Sequence, residues 1–200
     1  MSDMRRVFVA LEPDAAVRAA VERVQARLRY VPGASAVRWT RLEHLHLTLL
    51  FLGNVARERV AELAEALGTA CNDKSEFALQ TGQLGCFPSF KKPSVVWLGF
   101  EADDAQALFH LHDSIALAGK PYCEMRDRRE FVAHLTVGRI KPGHRSAKLF
   151  GTSLQAHSLP RESVLVWPIK SVFLVESELR AEGPRYTVLN TWRLAPLANR

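Results

Sequence analysis

The sequence predicts an α+β fold with antiparallel sheets, arranged as two pseudo-symmetric lobes that share a cleft. Two observations carry this. Pairs of strand-like segments separate the helix-like ones, whereas strict strand–helix alternation would give a parallel sheet. In addition, a His-Leu-Thr triplet occurs twice, at 46–48 and 134–136, each time inside an apolar strand-like run. The 200 residues, 48% hydrophobic and 24% charged, have ordinary globular proportions and fit one two-lobed domain over residues 1–200.

Residues 5–11 (RRVFVAL) read as a strand. Glu12-Pro13-Asp14 opens a helix, since proline is tolerated in a first turn and acids suit that end. Val17, Val21, Val24 and Leu28 recur at helical spacing through Arg29, and Pro32-Gly33 ends the run. A short strand is expected at 36–39 and a longer one at 44–52. A second helix covers about 56–70, with Val60, Leu63 and Leu67 on one face. Strands near 76–86 and 94–101 follow, joined by Pro88 to Pro93. A third helix covers about 103–118 with Leu108, Leu111 and Ile115 inward, and 131–139 (FVAHLTVGR) reads as a strand. Residues 145–156 suit a helix, and the end offers strands near 163–175 and 185–194.

Side chains alternate along a strand, so His46 and Thr48 point together, as do His134 and Thr136. Leu47, Leu49, Leu135 and Val137 then face a core. Independent placement of 7 His among 200 residues leaves roughly 0.3 expected His-x-Thr matches, so two in matching apolar contexts exceed what chance supplies. One copy alone would suit an ordinary hydrogen-bonded strand. Two copies place one His and one Thr from each lobe at the shared cleft.

That set suits the opening of a cyclic phosphate. In-line attack at phosphorus needs a base on the attacking water and an acid on the leaving oxygen. Imidazole serves both roles, with an unperturbed pKa of about 6.5. Threonine hydroxyls can donate to the non-bridging oxygens, and a vicinal ribose oxygen can depart without a metal clamp.

Net charge is +6, and Lys91 with Lys92, Arg126 to Arg129 and Lys141 to Lys148 are local basic clusters, which favours a polyanionic partner. The Phe87–Pro93 loop with Lys91 and Lys92 is the candidate edge for contacting such a partner, while Trp97 within VVWLGF is expected in the core. Cys71, Cys86 and Cys123 are odd in number and far apart, so neither a disulfide framework nor a structural zinc site is expected. His44 could join His46 on a metal, but Glu43, the only nearby carboxylate, should point away. His110 and His112 are expected at a helix surface. No GxxxxGK[ST] or GxSxG motif occurs. No apolar run is long enough to span a membrane, and no signal peptide is recognisable, so a cytoplasmic protein is expected.

The paired motifs resemble those of the 2H phosphoesterases, and among them the bacterial and archaeal RNA 2′,3′-cyclic phosphodiesterases, also called 2′-5′ RNA ligases. The likeness extends over RRVFVALEP, RWTRLEHLHLTLLFLGNV, GCFPSF…PSVVWLGFE, EFVAHLTVGR and VFLVESEL…GPRYTVLNTW. It implies a central groove with helices outside, catalytic His46 and His134, and phosphate-binding Thr48, Thr136 and Arg139. It implies no cofactor, and it gives His46 the acid role and His134 the base role. The implied partner is RNA with a 2′,3′-cyclic phosphate end, with tRNA fragments among the candidates, and a monomer is expected. Ala133 departs from the family, which often has proline there.

Overall fold

Antiparallel ladders join all the strands into two sheets. The computed structural model describes residues 3–101, 106–123, 130–157, 165–181 and 183–196. In chain order these form β1 (Met4–Leu11), α1 (Ala15–Leu28), β2 (Val37–Trp39), β3 (Leu47–Ala56), α2 (Val60–Cys71), β4 (Phe77–Ser89), β5 (Lys92–Phe100), α3 (Gln106–Gly119), β6 (His134–Ile140), α4 (Ala147–Gln155), β7 (Val166–Ile169), β8 (Ser171–Arg180) and β9 (Gly183–Arg193). One sheet has the order β3-β1-β8-β9 and the other β2-β6-β5-β4-β7. The lobes correspond at the motif strands: β3 beside β1 matches β6 beside β5. In each, a helix-containing connection returns the chain antiparallel, so that the His-Leu-Thr strand lies beside the strand it came from.

Local chemistry sets the boundaries. The Asp14 carboxylate accepts from the Val17 amide at 2.8 Å, capping α1 just after Pro13. The strand expected at 44–52 begins instead at Leu47, because residues 42–44 take a single 3₁₀ turn. Glu43 and His44 are therefore on a turn, not on a strand, and strand alternation does not govern where they point. The strand expected at 163–175 is in fact two. β7 pairs with β4 in one sheet, and β8 pairs with β1 in the other. An apolar run reports burial but not the point at which the chain changes sheets. Residues 103–105, 126–129 and 163–164, named in the sequence reading, lie outside the described residues.

Leu47, Leu49, Leu135 and Val137 are all buried in one continuous core with Val7, Leu98, Leu111, Phe150 and Trp167. Burial of each such side chain contributes about 1.5–3 kcal/mol. This fixes the strands, because a one-residue slip would turn the motif face inward.

Both motif strands carry the same irregularity. Val9 faces Leu50 while Ala10 faces Thr48, so Leu49 has no partner residue on β1. Val96 faces Gly138 while Trp97 faces Thr136, so Val137 has none on β5. The extra residue is the fourth of the motif in each lobe. Such a bulge re-aims the side chains beyond it. Counted strictly by twos, Arg139 would face away from His134; the bulge at Val137 returns it to the histidine side.

Gln25 holds that bulge. It occupies the buried face of α1 and is 4% exposed. Its amide donates to the Thr40 carbonyl at 2.8 Å and to the Val137 carbonyl at 2.9 Å. The Thr40 amide donates to the same Val137 oxygen at 3.1 Å. Gln25→Leu keeps the volume but takes this donor from the part-buried Thr40 carbonyl and leaves the Val137 carbonyl with the Thr40 amide alone, a loss of about 0.5–1.5 kcal/mol for a typical hydrogen bond. Urea unfolding of the variant should show a loss of that size. A midpoint equal to wild type would mean that the bulge is held by its own ladder.

Candidate active site

His46 immediately precedes β3, and His134 is the first residue of β6. Each imidazole turns back on its own backbone. His46 Nδ1 lies 2.8 Å from the carbonyl oxygen of His44, and His134 Nδ1 lies 2.7 Å from that of Val132. A carbonyl can only accept, so Nδ1 donates in both. The neutral ring then carries its lone pair on Nε2, the one atom free to take or give a proton. The two lobes thus present the same tautomer by the same device.

The rings have different frames. His46 lies between Phe8 and Tyr186, with centroids at 4.9 and 5.3 Å, and Tyr186 also meets His44 at 5.2 Å. His134 meets Phe87 edge-on at 5.0 Å and Trp97 at 6.3 Å. Trp97 is therefore not the core residue the sequence suggested. Val96 and Leu98 fill the core, and Trp97, half-buried, alternates to the His134 side. Gly85 makes room for it, since a Cβ there would stand 2.1 Å from Cζ2 of Trp97.

Burial sets the electrostatics. It pushes the His46 pKa down to about 4, against the bond to the His44 carbonyl, with Arg139, His134 and His44 adding in the same direction. Burial also lowers the His134 pKa, opposed by its bond to the Val132 carbonyl and aided by Arg139. The Tyr186 hydroxyl is raised by burial and lowered by Arg139 and Arg6. Arg139 thus exerts its charge on both histidines and on Tyr186, though its own side chain is exposed. It stands directly across the β2–β6 ladder from Arg38. Like charges so placed repel, and an anion between them relieves the repulsion.

Thr48 and Thr136 are half-buried on the faces of their histidines. The structure therefore brings together both His-Thr pairs and Arg139. Lys91 and Lys92 are exposed at the β4–β5 turn, in the hairpin that carries Phe87 to His134. Among the described residues no three side chains of His, Cys, Asp or Glu converge, so His44 and His46 find no third metal ligand there. His112, expected at the surface, is half-buried and stacks on Phe131 at 4.0 Å. Cys71 and Cys86 are buried and free.

Three participants escaped the sequence reading. Phe8 had a signal: five consecutive apolar residues in β1 mean burial on both faces, so one face had to serve the cleft. Gln25 had one too, as a polar residue at a buried helical register. Tyr186 had none, because only the β8–β9 pairing brings it to His46.

The description "LigT like Phosphoesterase" fits a family model matching residues 11–97. The chain is 33% identical over 187 residues to an RNA 2′,3′-cyclic phosphodiesterase of Archaeoglobus fulgidus, covering 94% of this chain and 99% of that one. It is 30% identical to one from Methanothermobacter thermautotrophicus, covering 94% and 98%. Its fold is similar to that of E. coli LigT in apo form, with a TM-score of 0.76 at 23% identity, covering 97% of this chain and 99% of that one.

A histidine held near pKa 4 when folded and about 6.5 when unfolded ties stability to pH. Between those values the unfolded chain binds more protons, so stability falls as pH drops from 6.5 towards 4, by up to about 3 kcal/mol from this group. His46→Gln should remove that part of the acid sensitivity. Urea midpoints for both proteins at pH 7 and pH 4.5 test it, and parallel losses would show that His46 is not held neutral.

Proposed function

The chain belongs to the LigT-like phosphoesterase family, and we propose that it hydrolyses 2′,3′-cyclic phosphate ends of RNA to 2′-phosphomonoesters by metal-independent acid–base catalysis. The observation that carries this is the matched pair of imidazoles, each with Nδ1 tied to the carbonyl two residues back, both within the field of Arg139. The names of the relatives support the substrate. We read residues 1–200 as one two-lobed domain, acting as a cytoplasmic monomer, and tRNA fragments with such ends would qualify as substrates.

In this reading, His134 Nε2 takes a proton from water as the oxygen attacks phosphorus. The bond from phosphorus to O3′ breaks, and His46 Nε2–H delivers its proton to O3′. The phosphate stays on O2′. Thr48 and Thr136 donate to the non-bridging oxygens, where charge grows, and Arg139 holds the anion with its fixed guanidinium fork. In the free protein His46 is neutral near pH 7, so the ring takes up a proton from solvent as the substrate binds: an anion beside it favours the charged imidazolium. The family resemblance supplies this order of acid and base. Replacing water by the 5′-hydroxyl of a second RNA gives 2′-5′ joining by the same step. Lys91 and Lys92, on the His134 side, are then candidate contacts for that incoming strand.

His46→Ala and His134→Ala should each lose at least about 100-fold in kcat, and the double variant little more than the worse single one, because the pair acts as a unit. A folded His134→Ala protein with near-normal turnover would end the two-histidine mechanism. Turnover should also survive exhaustive EDTA treatment.

The productive free enzyme carries one proton on the pair, so kcat/KM is bell-shaped and peaks between the two apparent pKa values. Both histidines lie below 6.5, which puts the maximum on the acid side of 6.5. Bound phosphate raises both values and moves the kcat optimum to higher pH. A kcat/KM maximum above pH 7.5 would contradict the burial argument.

Thr48→Ala and Thr136→Ala should lower kcat/KM by about tenfold to a few hundredfold. Arg139→Ala should also weaken binding of the 2′-phosphate product. Loss of one limb of the pH profile in any of these would show that protons travel through a group assigned to phosphate.

A further inference from the structure

We propose that the RNA chain upstream of the cyclic phosphate leaves the cleft on the His46 side, through a basic groove between the 42–44 turn and the β8–β9 hairpin. This rests on the proposed hydrolysis and adds a binding site for the body of the substrate. The groove encloses about 400 Å³ and is lined by Arg41, Glu43, His44, Arg180, Arg185 and Tyr186 among others. That volume falls within the range of roughly 300–1,000 Å³ typical of small-molecule sites, enough for one nucleotide.

Tyr186 makes the groove continuous with the reacting centre. Its ring meets both His46, at 5.3 Å, and His44, at 5.2 Å. Across the β8–β9 ladder Tyr186 faces Ser177, and its neighbour Arg185 faces Glu178. Arg180 is bonded to Glu178 at 2.5 Å, so that one carboxylate is shared by the field of two hairpin guanidiniums. With Arg41 on the facing turn, the described residues set three arginines against Glu43 and Glu178 and so leave a net positive charge. The exposed heads of Arg41 and Arg185 suit the phosphodiester one nucleotide upstream. The rings of Tyr186 and His44 offer a surface on which a base or ribose can rest without sequence preference.

The stereochemistry of the reaction gives the direction. In in-line displacement the attacking water and the departing O3′ are on opposite sides of phosphorus. O2′ and O3′ belong to the same ribose, so the terminal nucleoside lies on the leaving-group side. The chain continues from the 5′ oxygen of that nucleoside, away from the water. The groove adjoins His46, so an RNA body in it puts O3′ at His46 and water at His134. The β4–β5 turn with Lys91 and Lys92 is then on the water side, where hydrolysis places no RNA.

The test compares a 2′,3′-cyclic mononucleotide with a trinucleotide ending in the same cyclic phosphate. Wild type should prefer the trinucleotide. Arg41→Ala/Arg185→Ala should lower trinucleotide kcat/KM by tenfold or more, keep mononucleotide turnover within twofold, and flatten the log K against log salt slope by about 0.7 per lost contact. Lys91→Ala/Lys92→Ala should leave trinucleotide hydrolysis unchanged. The inference is overturned if the arginine variant treats both substrates alike, or if the lysine variant is the one that loses trinucleotide preference. Wild type that turns over the mononucleotide with no trinucleotide preference also overturns it, while the hydrolytic reading stands. Wild type that opens neither substrate overturns the hydrolytic reading, and this inference with it.

Discussion

The bond from each imidazole Nδ1 to the carbonyl two residues before it is the constraint on which the site depends. At His46 the chain leaves the 42–44 turn through an extended Leu45, which lets the ring reach back to the His44 carbonyl. The bond removes one of two tautomers and leaves Nε2 as the reactive atom. It also opposes the burial that would otherwise drive the ring still further from its charged form. Neutral and charged rings make the same bond, so a proton can come and go at Nε2 without loss of alignment.

The second requirement is that an arginine reach both rings. Period-two geometry alone would send Arg139 to the opposite face of β6, and the extra residue at Val137 prevents this. The corresponding extra residue at Leu49 in β3 has no arginine after it, and β3 continues with Leu50 and Phe51. One scaffold feature, present in both lobes, is therefore used for charge in only one of them. Arg139 is thus the arginine whose charge is felt at both rings, and in the proposed reaction it would hold the anion. Burial is the larger cause of the lowered pKa of both histidines, and the charge of Arg139 adds to it. A bound anion resolves the conflict that burial and Arg139 create.

Much of this was legible in the sequence, because alternation in a half-buried strand ties the chemistry of residues i and i+2 to one face. His46, Thr48, His134 and Thr136 could be assigned to a common cleft from spacing alone, and Leu47, Leu49, Leu135 and Val137 to the core. The bulges were not legible, since a run such as HLTVGR reads the same with or without an unpaired residue. Trp97 was misread because aromatic residues among valines and leucines suggest a core, although the alternation of Val96 and Leu98 already placed it on the other face. Tyr186 could not be found at all: its role depends on which strands pair across long separations, and the split of the 163–175 run into β7 and β8 decides that pairing.

The two lobes resemble each other in backbone and differ in what surrounds each ring, and the proposed hydrolysis needs that difference. Water and ribose are unequal reactants: one is small and interchangeable, the other carries the whole polymer. Phe87 and Trp97 pack His134 closely, with Gly85 giving up its side chain so that the indole can approach. On the other side, Tyr186 extends from His46 to His44 and on to a groove lined with arginine. A perfectly symmetric cleft would bind a cyclic phosphate equally well in two orientations, and only one of them would suit an acid fixed on one side. On this reading the groove beside His46 does more than add affinity. In the proposed reaction it would set O3′ at His46 and water at His134, and so which imidazole acts as acid and which as base.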